Sequence, residues 1–363
     1  MTARRGLLAL YSAAVLFVTL QKGLHHPGNF LLFRGAFERL VGGENLYATA
    51  PDYFGYLYTP TFALLFAPFA LLPPLFGLLL WNAANAFTLA GAVTRLLPPR
   101  AAAVALAVAF LDVVRSLQNS QSNALMAGLI VLGFLAAERG RPAAAALAIA
   151  AGAFTKVYPI AAASFAVPHP RRGRAALALG AAVLVFAALP LLVTSPALLA
   201  QQYRWWAAET TRDAALHGTS VMGILATWLG VSWPSWPVQV AGTVALLAPL
   251  ALRRARWPDP GFRLVYLSSL LIYVVIFNHQ AESASYVLAT TGIGVWFATA
   301  PRERWRDMLV AATLLLVSVA ATSLVPSQLR HDILRGYALQ AAPCFACWLA
   351  IQRELWRRPV PQS

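Results

Sequence analysis

The sequence predicts an all-α, polytopic integral membrane protein of about 12 transmembrane helices, with short re-entrant or interfacial helices among them. Three observations carry this reading. First, 59% of the 363 residues are hydrophobic and only 11% are charged, whereas a soluble domain has about 25% charged residues. Second, apolar runs such as 101–110 and 175–192 recur along nearly the whole chain, separated by short basic or polar knots. A helix needs roughly 20 such residues to cross hydrocarbon at about 1.5 Å per residue. Third, Ala and Leu dominate these runs and lie side by side, which suits helices. The strands of an outer-membrane barrel would alternate apolar and polar residues.

The elements follow in order along the chain. Arg4 and Arg5 precede an apolar run to about residue 20. No small-residue cleavage site follows and further spans do, so this reads as a retained first helix with a cytoplasmic N-terminus. Residues 23–59 are polar and aromatic and form the first extracytoplasmic loop. Residues 60–72 are apolar, too short for a span, and end at Pro73-Pro74, which makes them re-entrant or surface-lying. Residues 75–97 then return inward to a knot around Arg95 and Arg100. Residues 101–114 lead out, and 122–137 come back to Glu138-Arg139-Gly140-Arg141. A short pair, 142–155 and 157–167, follows with Thr155-Lys156-Val157-Tyr158-Pro159 between its halves. Residues 175–194 lead to a second extracytoplasmic loop, 195–218. The piece 219–230 is again short, and 235–252 returns to Arg253-Arg254-Ala255-Arg256. Segments near 263–277, 284–299, 308–325 and 337–352 complete the set, and the tail with Arg353, Arg357 and Arg358 is cytoplasmic. The whole of 1–363 reads as one transmembrane domain.

The formal net charge of +15 does not point to nucleic acid. The basic residues cluster between spans, mostly on the side assigned to the cytoplasm, which is a topology signal. Cys344 and Cys347 share one late apolar segment with no second ligand pair nearby, and read as small apolar helix residues. No phosphate-cradling glycine loop, HExxH or other spaced metal-ligand set is present.

This topology gathers the unusual polar clusters on the outer face. They include the first loop with Asn29, Arg34, Glu38, Glu44, Asp52 and Tyr58, and the amide-rich run Gln118-Asn119-Ser120-Gln121-Ser122-Asn123. Lys156 with Tyr158, the stretch from Gln201 through Trp205 and Trp206 to Ser220, and Asn278-His279-Gln280-Ala281-Glu282 complete them. Amides beside aromatic rings suit sugars, since amides donate and accept with hydroxyls and rings offer apolar area. A cationic Lys or Arg near the membrane suits a lipid-linked phosphate. An acid suits activation of an acceptor hydroxyl. For any single residue, a solvated loop or an interfacial Trp and Tyr belt is the simpler account. Lys156 stands apart, because it interrupts an apolar stretch between two short helix halves.

Three of these stretches carry a family resemblance. The run from Tyr58-Thr59-Pro60 to Pro68 resembles the segment after the first outer loop of glycosyltransferase family 87. Gln118 through Asn123 resembles that family's polar turn before a span, and Thr155-Lys156-Val157-Tyr158-Pro159 its broken-helix lysine motif. Stretches 29–47, 138–159 and 278–289 extend the likeness. The family is a GT-C family of bacterial polyprenyl-phosphate-sugar-dependent enzymes that includes mannosyltransferases.

The resemblance implies a GT-C-like fold in the bacterial inner membrane, with both termini cytoplasmic and an extracytoplasmic active site. It implies transfer of a mannose-like hexose or pentose from a polyprenyl-phosphate carrier to a lipid or glycan acceptor, with inversion. No cofactor or metal is implied. Lys156 and Arg34 would hold the donor phosphate, with Asn29, Tyr58 and Tyr158 beside it. Gln118, Asn119, Gln121 and Asn123 would shape the sugar pocket, and His279 and Glu282 would line the opposite wall. One departure stands out. The family starts its first-loop motif with an acid, and here that place holds Asn29, whose amide cannot accept a proton as a carboxylate does. The base role then falls to Asp52, the first choice, or to Glu44 or Glu38; a chain that has lost transfer activity is the remaining alternative. A transporter or flippase would also use broken helices and buried polar residues, but it needs a site open to both sides.

Overall fold

A computed structural model describes residues 2–23, 28–48, 55–213, 217–231 and 233–357. These residues are helical or irregular, and no strand occurs among them. The helices are α1 (Thr2–Gly23), α2 (Asn29–Val41), α3 (Pro60–Leu65), α4 (Ala67–Ala70), α5 (Pro74–Leu96) and α6 (Pro99–Gln118). There follow α7 (Asn123–Glu138), α8 (Pro142–Thr155), α9 (Arg172–Ala188), α10 (Pro196–Asp213), α11 (Val221–Leu229) and α12 (Ser235–Leu252). The last are α13 (Pro260–Ile276), α14 (Tyr286–Thr299), α15 (Arg304–Thr313), α16 (Ser327–Leu329) and α17 (Ala341–Trp356). Six helices open on proline, whose fixed φ and missing N–H fit the first helical position. Thr59, Ser220 and Asp259 cap α3, α11 and α13 by accepting a backbone N–H, which satisfies one orphan donor each.

Five helices among the described residues are long and apolar enough to cross a membrane: residues 5–23, α5, α6, the stretch Arg172–Leu192 that contains α9, and α12. Shorter apolar helices, α7, α8 and α13, add to them. The chain is a multi-pass membrane protein. The further crossings expected from the sequence fall on shorter or broken helices. Residues 60–72, too short to span, form the pair α3 and α4. Two stretches read as loops carry helices, α2 within 23–59 and α10 within 195–218.

The chain forms two compact units. The first comprises Met1–Ala92, Val113–Ile160 and Gly173–Ala214. Its centre is a web of rings from α2, α3, α4 and α5. Phe33 meets Tyr58 at 4.9 Å, Phe62 at 5.0 Å and Trp81 at 6.0 Å, all edge to face. Such pairs contribute about 0.5–1.5 kcal/mol each beyond their burial. The amphipathic spacing of α2 follows from this web, since Phe30, Phe33, Ala36 and Leu40 are its buried face. Helices α7 and α8 pack as a hairpin through the turn Arg139-Gly140-Arg141, where Gly140 takes φ 62°. Close helix contact in hydrocarbon relies on small residues. A Cβ on Gly128 of α7 would lie 2.8 Å from the Leu89 nitrogen of α5.

The second unit comprises Val93–Asp112, Ala161–Arg172 and Ala215–Ser363. Here α13, α14 and α17 pack together. A Cβ on Gly294 of α14 would lie 2.7 Å from the Ala105 carbonyl of α6. A buried ion pair, Arg306 to Glu354 at 2.6 Å, joins α15 to α17. Trp296 donates to the second Glu354 oxygen at 3.1 Å, and the Arg306 guanidinium lies over the Trp296 ring. Cys344 and Cys347 are buried in α17.

Candidate active site

The site in the first unit begins where α8 breaks. A proline inside a continuing helix would clash with the carbonyl four residues earlier, and Pro159 would stand in that way beyond Thr155. The helix therefore stops, and Lys156 takes an extended backbone, φ −138° and ψ 136°. The proline ring instead packs against Gly152, whose added Cβ would lie 2.9 Å from the Pro159 Cβ. The break turns the Lys156 side chain toward the amide run. Its ammonium donates to Asn123 Oδ1 at 2.8 Å and to Gln121 Oε1 at 3.2 Å. The Tyr158 hydroxyl donates to the same Asn123 oxygen at 3.3 Å, and the Tyr58 hydroxyl to the same Gln121 oxygen at 3.1 Å. Lys156 also lies 5.6 Å from the centre of the Tyr58 ring, within cation–π range. Five residues expected from the sequence, Tyr58, Gln121, Asn123, Lys156 and Tyr158, thus form one bonded cluster.

The chemistry of lysine orients the amides. An ammonium only donates, so both amides turn their oxygens toward it. The two neutral oxygens orient the ammonium. The Asn123 amide nitrogen must then face the other way. It is buried with no partner among the described residues, as are the hydroxyls of Ser122 beside it and Ser116 in the last turn of α6. Such donors cost about 1–3 kcal/mol each when left unmet.

The amide turn is held from several directions. Ser120 takes φ 52°, an uncommon conformation outside glycine. Its carbonyl accepts from Trp81 Nε1 at 2.9 Å, and the Gln121 N–H returns to the Ser116 carbonyl at 3.0 Å. Asn29 Nδ2 donates to the Asn119 carbonyl at 2.9 Å. Asn29 is therefore a tether between α2 and the turn. Asn119 itself donates to the Arg115 carbonyl, and Gln118 closes α6 half-buried. Arg34 is engaged elsewhere, donating to Glu38 at 3.0 Å and to the Leu72 carbonyl at 3.2 Å.

Of the acids expected in the first loop, Asp52 lies outside the described residues. Glu44 is exposed in the turn after α2. Its carbonyl accepts from Gln202 Nε2 at 2.6 Å, while the Leu46 N–H donates to Gln202 Oε1 at 3.2 Å. Gln202 of α10 thus clamps that turn with both ends of its amide. The Tyr47 hydroxyl donates to the Tyr58 carbonyl at 2.8 Å. Trp206 Nε1 donates to the Leu57 carbonyl at 3.1 Å, and Trp205 and Trp206 pack against the aromatic core. Tyr203 meets Thr61 at 3.0 Å. Burial raises the Tyr203 phenol above its ordinary pKa, partly offset by that hydrogen bond.

Gln202 and Asn85 are the positions to which sequence reasoning assigned no role. Asn85 Oδ1 accepts the Leu125 N–H at 3.0 Å, capping the start of α7 beside the amide turn. For Asn85, a buried amide in the apolar helix α5 was the available signal.

His279 and Glu282 belong to the second unit. His279 Nδ1 lies 3.0 Å from Gln239 Nε2. Glu282 is exposed, and its carbonyl accepts the Ser285 N–H at 2.8 Å. Nearby, the Ala281 carbonyl accepts from both the N–H and the hydroxyl of Thr219. Gly218 makes that approach with φ 50°, where a Cβ would lie 2.6 Å from the carbonyls of His279 and Ala281.

Comparison with known proteins adds one match. Residues 56–278 match the family model described as glycosyltransferase family 87. No curated protein matches the chain. The matched span contains the Lys156 cluster, the amide turn and His279's neighbour Asn278.

Proposed function

The chain belongs to glycosyltransferase family 87 and is a membrane glycosyltransferase, and we propose that it draws its sugar from a polyprenyl-phosphate carrier. The acceptor is a hydroxyl on a lipid or glycan. The observation that supports this reading is the lysine held by two amide oxygens and flanked by Tyr58 and Tyr158. A fixed cation beside unmet amide and hydroxyl donors suits a phosphate joined to a polyhydroxylated ring.

In the proposed reaction the acceptor oxygen attacks the anomeric carbon. The bond from that carbon to the phosphate oxygen breaks, and polyprenyl phosphate leaves with the electron pair. The sugar centre inverts. A carboxylate takes the acceptor proton, with Asp52 as the choice and Glu44 as the alternative. Lys156 stabilises the charge that develops on the leaving phosphate. Gln121 and Asn123 orient the lysine and meet the sugar, with Asn119 and Gln118 as the frame of the turn. Arg34 is the proposed second phosphate contact, reached by exchanging its pairing with Glu38 for the phosphate. The topology that goes with this reading has both termini in the cytoplasm of a bacterial inner membrane and the site on the outer side.

The test is direct. Purified protein in lipid, given radiolabelled polyprenyl-phosphate sugars and a membrane lipid extract, is expected to form a new labelled glycolipid. Movement of the labelled carrier across the bilayer with no labelled product would instead support a flippase.

A second expectation concerns Asn29. Asn29→Asp places a carboxylate against the Asn119 carbonyl and removes the donor between them. We expect stability in detergent to fall by about 0.5–1.5 kcal/mol, the net worth of one ordinary hydrogen bond, without a gain in turnover. A faster Asn29→Asp enzyme would show that this position still serves as the base.

A further inference from the structure

The ends of α12, α13 and α17 in the second unit build a cationic corner that the transfer chemistry does not use. Arg253 Nη2 donates to the Trp356 carbonyl at 2.6 Å. Arg256 Nη1 donates to the carbonyls of Glu354 at 3.0 Å and Arg357 at 3.4 Å. These carbonyls belong to the last turn of α17 and to Arg357 just beyond it, at the negative end of the helix dipole; the Glu354 carbonyl also accepts the Arg357 N–H at 3.3 Å. Arg253 and Arg256 are thus structural, and they bring the turn after α12 against the end of α17.

Three further guanidinium groups lie in this corner and do not cap α17; Arg254 donates its Nε to the Ala251 carbonyl at 3.1 Å. Arg254, Arg353 and Arg357 are exposed, and among the described residues no carboxylate pairs with any of them. The two acids close by are already paired, Asp259 with Arg256 at 3.1 Å and Glu354 with Arg306 at 2.6 Å. Tryptophan rings underlie the charges. The Arg254 guanidinium lies 6.0 Å from the Trp257 ring centre, and that of Arg253 5.4 Å from Trp356. Tryptophan prefers the membrane–water boundary. Apolar surface adjoins the charges on both helices. Leu252 at the end of α12 is 69% exposed, and Leu349, one turn before Arg353 on α17, is 50% exposed.

We propose that this corner binds an acidic phospholipid, with its phosphate among Arg254, Arg353 and Arg357 and its acyl chains along Leu252 and Leu349. Guanidinium forks match phosphate oxygens. Exposed leucines beside tryptophans match the chain below the headgroup. A zwitterionic lipid offers the same phosphate, but its own ammonium offsets the charge that the three arginines would meet. The site is independent of the transfer reaction.

The test uses native mass spectrometry of the full chain, delipidated and given phosphatidylglycerol or phosphatidylcholine of matched acyl length. Wild-type protein is expected to retain phosphatidylglycerol in preference. Each guanidinium removed is expected to lower that preference about fivefold, the factor for one basic residue at an anionic surface. Arg353→Gln with Arg357→Gln removes two charges and leaves the Arg253 and Arg256 caps intact. Adding Arg254→Gln removes the third. A matched control neutralises the exposed knot Arg171, Arg172 and Arg174. Equal retention of both lipids by the wild type overturns the proposal. So does a preference that survives in the triple variant, or one that falls equally in the control, which would mean diffuse attraction to the basic surface.

Discussion

Lys156→Met is expected to lower transfer from the lipid-linked donor by roughly 100-fold. Removing one preorganised electrostatic donor from an active site costs about 10²–10³ in turnover. The lower end applies here because Tyr58 and Tyr158 still donate to the oxygens that the lysine leaves, Gln121 Oε1 and Asn123 Oδ1. Methionine keeps the length and flexibility of the stem, so the change is chiefly the loss of the ammonium. The fall is expected in kcat as well as in kcat/KM, since the charge on the phosphate grows as the sugar departs. Lys156→Arg is not a rescue. A planar fork cannot replace a compact ammonium between two converging amide oxygens. Steady-state rates with purified carrier-linked sugar, read beside a thermal melt, separate the two roles. Wild-type kcat in a folded Lys156→Met protein would remove the lysine from the reaction.

Asp52→Asn is expected to lower turnover by about 10²–10⁴, the usual contribution of a positioned general base. The case rests on what the other first-loop groups do. Asn29 is an amide and tethers the Asn119 carbonyl. Glu38 pairs with Arg34 at 3.0 Å, one helical turn away. Glu44 remains as the rival, and Glu44→Gln tests it side by side. The expected outcome is a deep loss for Asp52→Asn with folding intact, and little change for Glu44→Gln. The reverse order would transfer the base role to Glu44.

Much of the helix layout was legible in the sequence. Residues 142–155 and 235–252 were read as apolar segments with the bounds that α8 and α12 have. Prolines mark the start of both stretches or their flanks, and a basic knot adjoins each, before α8 and after α12, so both signals are local. The stretch 60–72 was read as too short to span because it ends at two prolines, and it folds as two short helices.

Helix α10 was missed because its polar residues outweigh its apolar ones, and α2 because it is short and sits inside a polar, aromatic stretch. In α2, the spacing of Phe30, Phe33, Ala36 and Leu40 does carry a helical period, and Pro196 at the head of α10 is a start signal. The π-helical stretch Leu314–Val319 had no visible cue. In the site, the lysine and the amide run were found from residue type, from the place of the lysine between two short helix halves, and from the family resemblance. What the sequence did not hold was their pairing, which depends on α7 and α8 packing as a hairpin. The roles of Gln202 and Asn85 are of the same kind, since each meets a backbone group distant along the chain.

In the proposed reading, the shortness of α8 sets the depth at which Lys156 lies. Its 14 residues reach about 21 Å at 1.5 Å per residue, against a hydrocarbon core about 30 Å thick. In the proposed topology the Arg139–Arg141 knot stands at the inner boundary. A helix starting there stops short of the outer one, and Lys156 lies below the surface. A carrier with a long isoprenoid tail would then meet the enzyme by sliding sideways, its headgroup drawn down to the lysine rather than lifted out. At that depth water is scarce. An activated sugar held there is shielded from hydrolysis until an acceptor hydroxyl arrives.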